Sequence, residues 1–287
     1  MRTLITGAAG MLGSDVVGAC AGRGHEVVAL PRAELDITDA RAVEAALERH
    51  RPDAVVNCAA WTDVDGAEDA EEAATRVNDG GAALLAAAAA ASGAKVLYVS
   101  TDYVFDGSKR RPYVESDLPG AISAYGRSKQ AGETSVAVAN PRHFIVRSSW
   151  LFGTAGRNFV ETMLRLGSEQ PEVLVVSDQR GCPTYTGHLA EGIALLIEGD
   201  EFGIHHLAGA GSCSWFEFAQ EIFDEAGLES RVMAATTDML ARKAPRPVNS
   251  VLASERPDPI VLPHWKQGLG EYMAAREARA LDSGGVK

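Results

Sequence analysis

The sequence predicts an α/β fold, a doubly wound parallel sheet with a smaller, partly interleaved C-terminal domain. Three observations predict it: apolar runs alternate with helical stretches through the first half, a glycine triplet stands at the first strand-to-helix junction, and the alternation breaks up beyond Gly153. The 287 residues, 46% of them hydrophobic, suffice for a large core and a smaller satellite one.

Taken in order, Arg2–Thr6 reads as a strand, followed by a helix from about Gly10, a strand at Glu26–Leu30 and a helix from about Asp39 to His50. Ala54–Cys58 and Lys95–Ser100 are charge-poor apolar runs, as expected of strands covered on both faces. Between them a long helix is predicted from about Glu71 through the alanine tract Ala82–Ala91, ending at Ser92-Gly93. Tyr125–Asn140 reads as a helix and His143–Arg147 as a further strand. Beyond Gly153, helices are predicted at Asn158–Leu166, Leu189–Ile197 and Trp215–Ala226, with a strand at Gly203–Leu207 that can return to the first sheet. The division that follows is a first domain over 1–153, completed by about 186–207, and a second made of 154–185 and 208–287. The tail carries no apolar period after Leu281, so its last residues are expected to be disordered.

The formal net charge of −12 argues against a nucleic-acid or anionic-membrane surface, because phosphate binding needs a positive field over many contacts. No run of about 18 apolar residues offers a membrane span, and the first strand begins at once rather than after a signal peptide, so a cytoplasmic location is expected. Cys20, Cys58, Cys182 and Cys213 lack metal-ligand or disulfide-framework spacing and read as packing thiols; no metal site is predicted.

Gly7, Gly10 and Gly13 follow the first strand and open the first helix, with Met11 and Leu12 between the last two. Gly7 permits a tight turn, Gly10 lets the backbone approach a pyrophosphate, and Gly13 allows close helix packing, as in Rossmann-type dinucleotide sites. The second strand ends at Pro31-Arg32, where an NAD-selective protein often places an acid. Arg32 either meets the 2′-phosphate of NADP or is a solvated surface arginine, so NADPH is preferred slightly and NADH stays admissible.

Tyr125 and Lys129 are four residues apart and share one helix face. A nearby ammonium favours a phenolate, so Lys129 is expected to lower the Tyr125 pKa and make it a usable general acid–base. Thr101 closes the apolar strand that precedes them, where ligands sit in such sheets, and offers a hydroxyl to a developing alkoxide; Ser100 is the alternative hydroxyl.

The G-x-x-G-x-x-G spacing, Thr101 and Tyr125/Lys129 together resemble the extended short-chain dehydrogenase/reductase family. Further segments resemble its dTDP-4-dehydrorhamnose reductase branch: Leu35-Asp36-Ile37-Thr38, Asn57 through Asp65, Ser100 through Gly107, Arg147-Ser148-Ser149-Trp150-Leu151-Phe152, Asn158-Phe159, Ser177 through Thr184, and Arg246-Pro247-Val248-Asn249-Ser250. The resemblance implies reduction of the 4-keto group of a dTDP-linked deoxysugar, with NADPH or NADH as hydride source and Lys129 also bonded to the nicotinamide ribose. It implies Asp36 and Ile37 near the adenosine, Ala59, Ala60, Trp61 and Thr62 along the pyrophosphate or ribose, and Thr101, Asp102, Tyr125, Trp150 and Asn158 toward the sugar nucleotide. Trp150 would offer a flat apolar wall and Arg246 a forked contact to the diphosphate. Some members hold magnesium at a dimer interface; Asp15 matches one such position but Gly187 stands where a second acid is expected, which argues against a magnesium-linked dimer and leaves a homodimer open. Similar chains that regulate an S-adenosylmethionine-forming enzyme supply a non-catalytic alternative, and Asp102 keeps a dehydratase reading in view; retention of Thr101, Tyr125 and Lys129 together favours a reductase.

Overall fold

A computed structural model describes residues 1–284, with side chains through Arg279. Strands β1 (Arg2–Thr6), β2 (Glu26–Leu30), β3 (Ala54–Asn57), β4 (Lys95–Thr101) and β5 (His143–Ser148) alternate with helices α1 (Met11–Gly22), α2 (Ala40–His50), α3 (Val64–Asp69), α4 (Glu71–Thr75), α5 (Ala82–Ala91) and α6 (Ala124–Ala139). The second half adds β6 (Leu151–Phe152), α7 (Phe159–Glu169), β7 (Glu172–Val176), β8 (Arg180–Gly181), β9 (Thr184–Tyr185), α8 (Thr186–Leu196), β10 (Gly203–His206), β11 (Cys213–Ser214), α9 (Trp215–Ala226), β12 (Arg231–Ala235) and α10 (Trp265–Gly284).

The large sheet has the order β10-β5-β4-β3-β1-β2, and every pairing in it is parallel. Parallel strands need covering on both faces, which explains why all four residues of β3 are buried. On one face, side chains of α1 and α8 close over Ile5, Val56, Leu97, Phe144 and Val146. On the other, α2, α5 and α6 close over Leu4, Val55, Val96 and Tyr98. β10 pairs with β5 from Gly203↔Phe144 to His206↔Arg147, so the edge of this sheet comes from late sequence. A separate core around Phe152, Val160, Phe218, Phe223, Leu269 and Tyr272 holds the smaller region together.

Two expectations are corrected. The helix predicted from Glu71 to Ala91 is interrupted by a π-helical turn at Arg76–Gly81, between α4 and α5. There Asn78 is buried at 1% exposure, and a Cβ on Gly81 would lie 2.7 Å from Ile37 Cγ1, so the widened turn fits a side-chain amide and a close neighbour into the interior. At the C terminus α10 continues through Gly284 rather than fraying after Leu281, and residues 285–287, where the rest of that expectation falls, lie outside the described residues.

Candidate active site

β1 has β2 on one side and β3 on the other, so the connection after β1 runs toward β2 and the one after β3 toward β4, in opposite directions, and a crevice opens between their carboxyl ends. The glycine loop lines it. Gly7 has φ +63°, and a Cβ on it would lie 2.7 Å from the Ala59 backbone nitrogen; a Cβ on Gly13 would lie 2.2 Å from the Gly7 carbonyl oxygen. The two loops therefore pack backbone to backbone, which only glycine permits. Gly10 caps α1 with no side-chain hydrogen bond, so the first amides of that helix keep their donors for a ligand anion. Met11 reaches the turn at Gly153, whereas Leu12 is a core residue of which only the backbone belongs to the loop.

Opposite the glycines, the loop after β3 is held by two asparagines. Asn57 Oδ1 accepts from Thr6 Oγ1 at 2.8 Å and from Ala59 N at 3.1 Å. Asn78, in the π turn, accepts from Trp61 N at 2.8 Å and donates to Trp61 O and to Ser128 Oγ on α6. This places Ala59, Ala60 and Trp61, all half-buried, along the crevice; Thr62 is exposed. Arg32 and Asp36 lie exposed beyond β2, and Asp36 caps its own turn through Thr38, bonds that hold its carboxyl below the usual range. Ile37 is buried against Gly81, so its side chain serves packing.

At the carboxyl end of β4, Thr101 Oγ1 donates to Asp102 Oδ1 at 3.1 Å and accepts from Tyr103 N at 3.2 Å. Ser123 caps α6 by accepting from Gly126 N, and Gly126 packs against the Tyr103 carbonyl, which sets Tyr125 at the start of that helix beside Thr101. The Tyr103 and Tyr125 rings meet edge to face at 5.7 Å. Ser100, the alternative hydroxyl, is committed elsewhere: it donates to Glu133 at 2.5 Å.

The electrostatics differ from the sequence expectation. Lys129 is buried, donates to the Val99 carbonyl at 2.7 Å and lies 3.9 Å from the Tyr98 ring centroid. Desolvation pushes its ammonium down to about 7, against the pull of Glu133 and Cys58. Burial likewise pushes the Tyr125 phenol up to about 12, opposed by its Thr101 contact, so Lys129 does not lower it here. Tyr125 is consequently a fully protonated donor at neutral pH. Asp102, 1% exposed, is raised to about 7 by desolvation. Ser250 lies beside it, yet that hydroxyl is directed to the Arg180 carbonyl and Asp102 Oδ2 has no partner.

Asn57 Nδ2, Asp102 Oδ2 and Ser148 Oγ are all buried without a hydrogen-bond partner, and they stand at the carboxyl ends of β3, β4 and β5, consecutive neighbours in the sheet. Each such atom costs roughly 1–3 kcal/mol unless something binds it, although strand alternation turns Asn57, with Val55, and Ser148, with Val146, to opposite faces of the sheet.

Three residues expected at the substrate are engaged by the protein. Trp150, at φ +50°, stacks on Trp215 with centroids 3.5 Å apart, and a Cβ on Gly181 would touch its indole at 2.4 Å, so one flat face is covered. Asn158 caps α7, accepting from Glu161 N and donating to Gly153 O, which uses both ends of its amide. Arg246 forks onto Asp65 at 3.0 and 3.1 Å and also reaches Tyr103, so its charge is already partnered.

Known proteins resemble this chain over nearly its whole length. The family model described as RmlD substrate binding domain matches residues 1–278. The chain is similar to a dTDP-4-dehydrorhamnose reductase of Streptomyces griseus (44% identity, covering 97% of this chain and 95% of that protein). It is also similar to a dTDP-4-keto-6-deoxy-D-glucose reductase of Streptomyces niveus (45% identity, 88% and 89%). Among solved structures, a dTDP-4-dehydrorhamnose reductase from Bacillus anthracis in complex with NADP superposes with a TM-score of 0.93 at 39% identity, covering 96% of this chain and 99% of that one.

Proposed function

The chain belongs to the RmlD substrate binding domain family, and from that membership we propose that it is the NAD(P)H-dependent reductase that converts dTDP-4-dehydrorhamnose to dTDP-L-rhamnose. The names of its relatives and the NADP complex of a structural neighbour support the reading. The observation that carries it is the contact of Thr101 with Tyr125 at the carboxyl end of β4, beside a crevice lined by glycine.

In this reading Gly7, Gly10, Met11, Leu12 and Gly13 hold the cofactor pyrophosphate through their backbone, and Ala59, Ala60, Trp61 and Thr62 flank it. Arg32, Asp36 and Ile37 lie toward the adenosine. NAD(P)H, when bound, supplies the hydride for the carbonyl carbon. Tyr125 donates its phenolic proton to the carbonyl oxygen, which becomes the more basic of the two as hydride arrives and alkoxide develops. Thr101 turns its hydroxyl from Asp102 to that oxygen and stabilises its charge. Lys129 binds the cofactor ribose. Asp102 accepts or donates to a sugar hydroxyl, and Trp150 bounds the sugar with its remaining surface. Arg246 meets the diphosphate by sharing its guanidinium with Asp65. Asn158 acts indirectly by shaping the turn at Gly153. The substrate domain is the smaller region, 154–185 and 208–287.

Purified protein is expected to oxidise NADPH or NADH, followed by absorbance, only when dTDP-4-dehydrorhamnose is present, with dTDP-L-rhamnose identified by NMR. Absence of sugar-dependent oxidation with every dTDP-4-keto-6-deoxysugar tested would overturn the reading. The name of the Streptomyces niveus relative favours a second substrate, dTDP-4-keto-6-deoxy-D-glucose, and the product stereochemistry from the same assay separates the two. Gly7→Ala is expected to weaken NADPH binding at least about tenfold, because a Cβ at φ +63° is strained and collides with Ala59. Fluorescence titration checks this, and unchanged affinity would remove the glycine loop from the cofactor site.

A further inference from the structure

The six-residue helix α3 has no part in the chemistry above, yet three pieces of the site meet on it. It follows directly from the wall loop: Asp63 caps it by accepting from Gly66 N at 2.9 Å, and the Asp63 carbonyl takes the Trp61 indole N–H at 3.0 Å. Ala67 is fully buried in a cluster with Ala74 and Ala124, against which Trp61 and Tyr125 pack. Glu68 Oε1 accepts from Ala124 N at 2.8 Å, at the first residue of the catalytic helix α6. Asp65 takes the third piece, an arm of late sequence. Its Oδ1 accepts from Arg246 Nη1 at 3.1 Å and from Ala244 N at 3.0 Å, and its Oδ2 accepts from Arg246 Nη2 at 3.0 Å. Arg242 Nη1 lies 3.8 Å from the same Oδ2, and Lys243 pairs with Asp69 one turn further along. Among the described residues, the hydrogen bonds of 241–247 to the rest of the protein fall on Asp65, Asp69 and Tyr103.

We propose that Asp65 is a positioning residue for the substrate: its carboxylate holds Arg246 and the arm around it against α3, so that the guanidinium stands ready for the diphosphate before the sugar nucleotide arrives. The inference rests on the reading that Arg246 meets the diphosphate. An isolated exposed ion pair stabilises a protein little, so these contacts matter for what they place. Arg246 is 15% exposed and Asp65 32%, and the pair joins late sequence to the helix that continues the wall of the cofactor crevice. Arginine has five N–H donors; Asp65 and the Ala244 carbonyl take three, which leaves two for Tyr103 and a phosphoryl oxygen. Ligand and carboxylate can therefore hold the same guanidinium together. Without the carboxylate, the long side chain and its arm have to be ordered at the moment of binding, at a cost in affinity rather than in the chemical step.

The test measures dTDP affinity by calorimetry, and KM and kcat with dTDP-4-dehydrorhamnose, in a cycle of Asp65→Asn, Arg246→Met and the double variant. Asp65→Asn is expected to raise both the dTDP Kd and KM about tenfold, with kcat within about twofold of native. Arg246→Met is expected to raise them at least as far. Adding Asp65→Asn to it is expected to change nothing more, because the effect of Asp65 runs through Arg246. Should Asp65→Asn not fold, Asp65→Ser takes its place in the cycle. A native or lowered Kd in the Asp65 variant beside a raised one in Arg246→Met would overturn the proposal, as would two effects that simply multiply. Native dTDP affinity in Arg246→Met defeats the assignment of Arg246 to the diphosphate and this inference with it, whereas failure of the native protein to bind dTDP defeats the functional reading itself.

Discussion

Tyr125→Phe is expected to lower kcat by roughly 10²–10⁴-fold while leaving NADPH affinity nearly unchanged. The phenol is held at about 12 by burial, so across neutral pH it is a fully protonated donor, and its neighbour Thr101 has no comparable acidity to replace it. Phe keeps the ring that meets Tyr103 edge to face, so the local packing survives and the loss is confined to proton transfer. Steady-state kinetics with the keto sugar and a fluorescence titration with NADPH measure the two quantities separately. Native kcat in this variant would remove Tyr125 from the proton-donating role, and a parallel collapse of cofactor binding would make it a structural residue.

The second large effect is on stability. Asp102 moves from an ordinary 3.8 to about 7 in the folded protein because desolvation outweighs its bonds to neighbours. A carboxyl raised in this way holds its proton more tightly folded than unfolded. Its contribution to stability is therefore complete below the unfolded value and is lost as pH rises through the folded one, between about 4 and 7. Asp102→Asn, which never ionises, is expected to match the native protein at pH 4 and to exceed it at pH 8 by on the order of 3 kcal/mol. The same variant is expected to lose kcat/KM for the sugar nucleotide, the pattern of a residue retained for function at the expense of stability. Denaturant melts at the two pH values decide it, and parallel curves would show that Asp102 stays ionised in the fold.

Much of this architecture is legible in the sequence, for identifiable reasons. Buried parallel strands such as Ala54–Asn57 read as nearly unbroken apolar runs, and the short segment Gly203–His206, between two helical stretches, is found paired with β5. The two-residue strands β6, β8, β9 and β11 leave no periodic trace, and the π turn hides inside a stretch that reads as continuous helix. Within the site, Gly7, Gly13, Thr101, Tyr125 and Lys129 announce themselves by spacing. Asn57 and Asn78, which fix the opposite wall, are spaced like nothing in particular, although an asparagine closing an apolar strand is a signal that could have been used. The direction of the Tyr125 shift was out of reach for a different reason: spacing places an ammonium near a phenol, but desolvation depends on what the rest of the chain packs over both. The same holds for Arg246, whose partner Asp65 lies far away in sequence.

The strand that closes the large sheet has a consequence for how this protein is made and inherited. Because β10 is laid against β5 after the chain has already built α7 and α8, the hydrogen-bonding edge of β5 stays open during synthesis until residue 206 has emerged. The first half is consequently no transferable cassette: severed after Gly153, it would expose Phe144 and Val146 along an unpaired rim. Whatever varies in the excursion between β5 and β10, the return of that strand ties the late sequence to the first sheet.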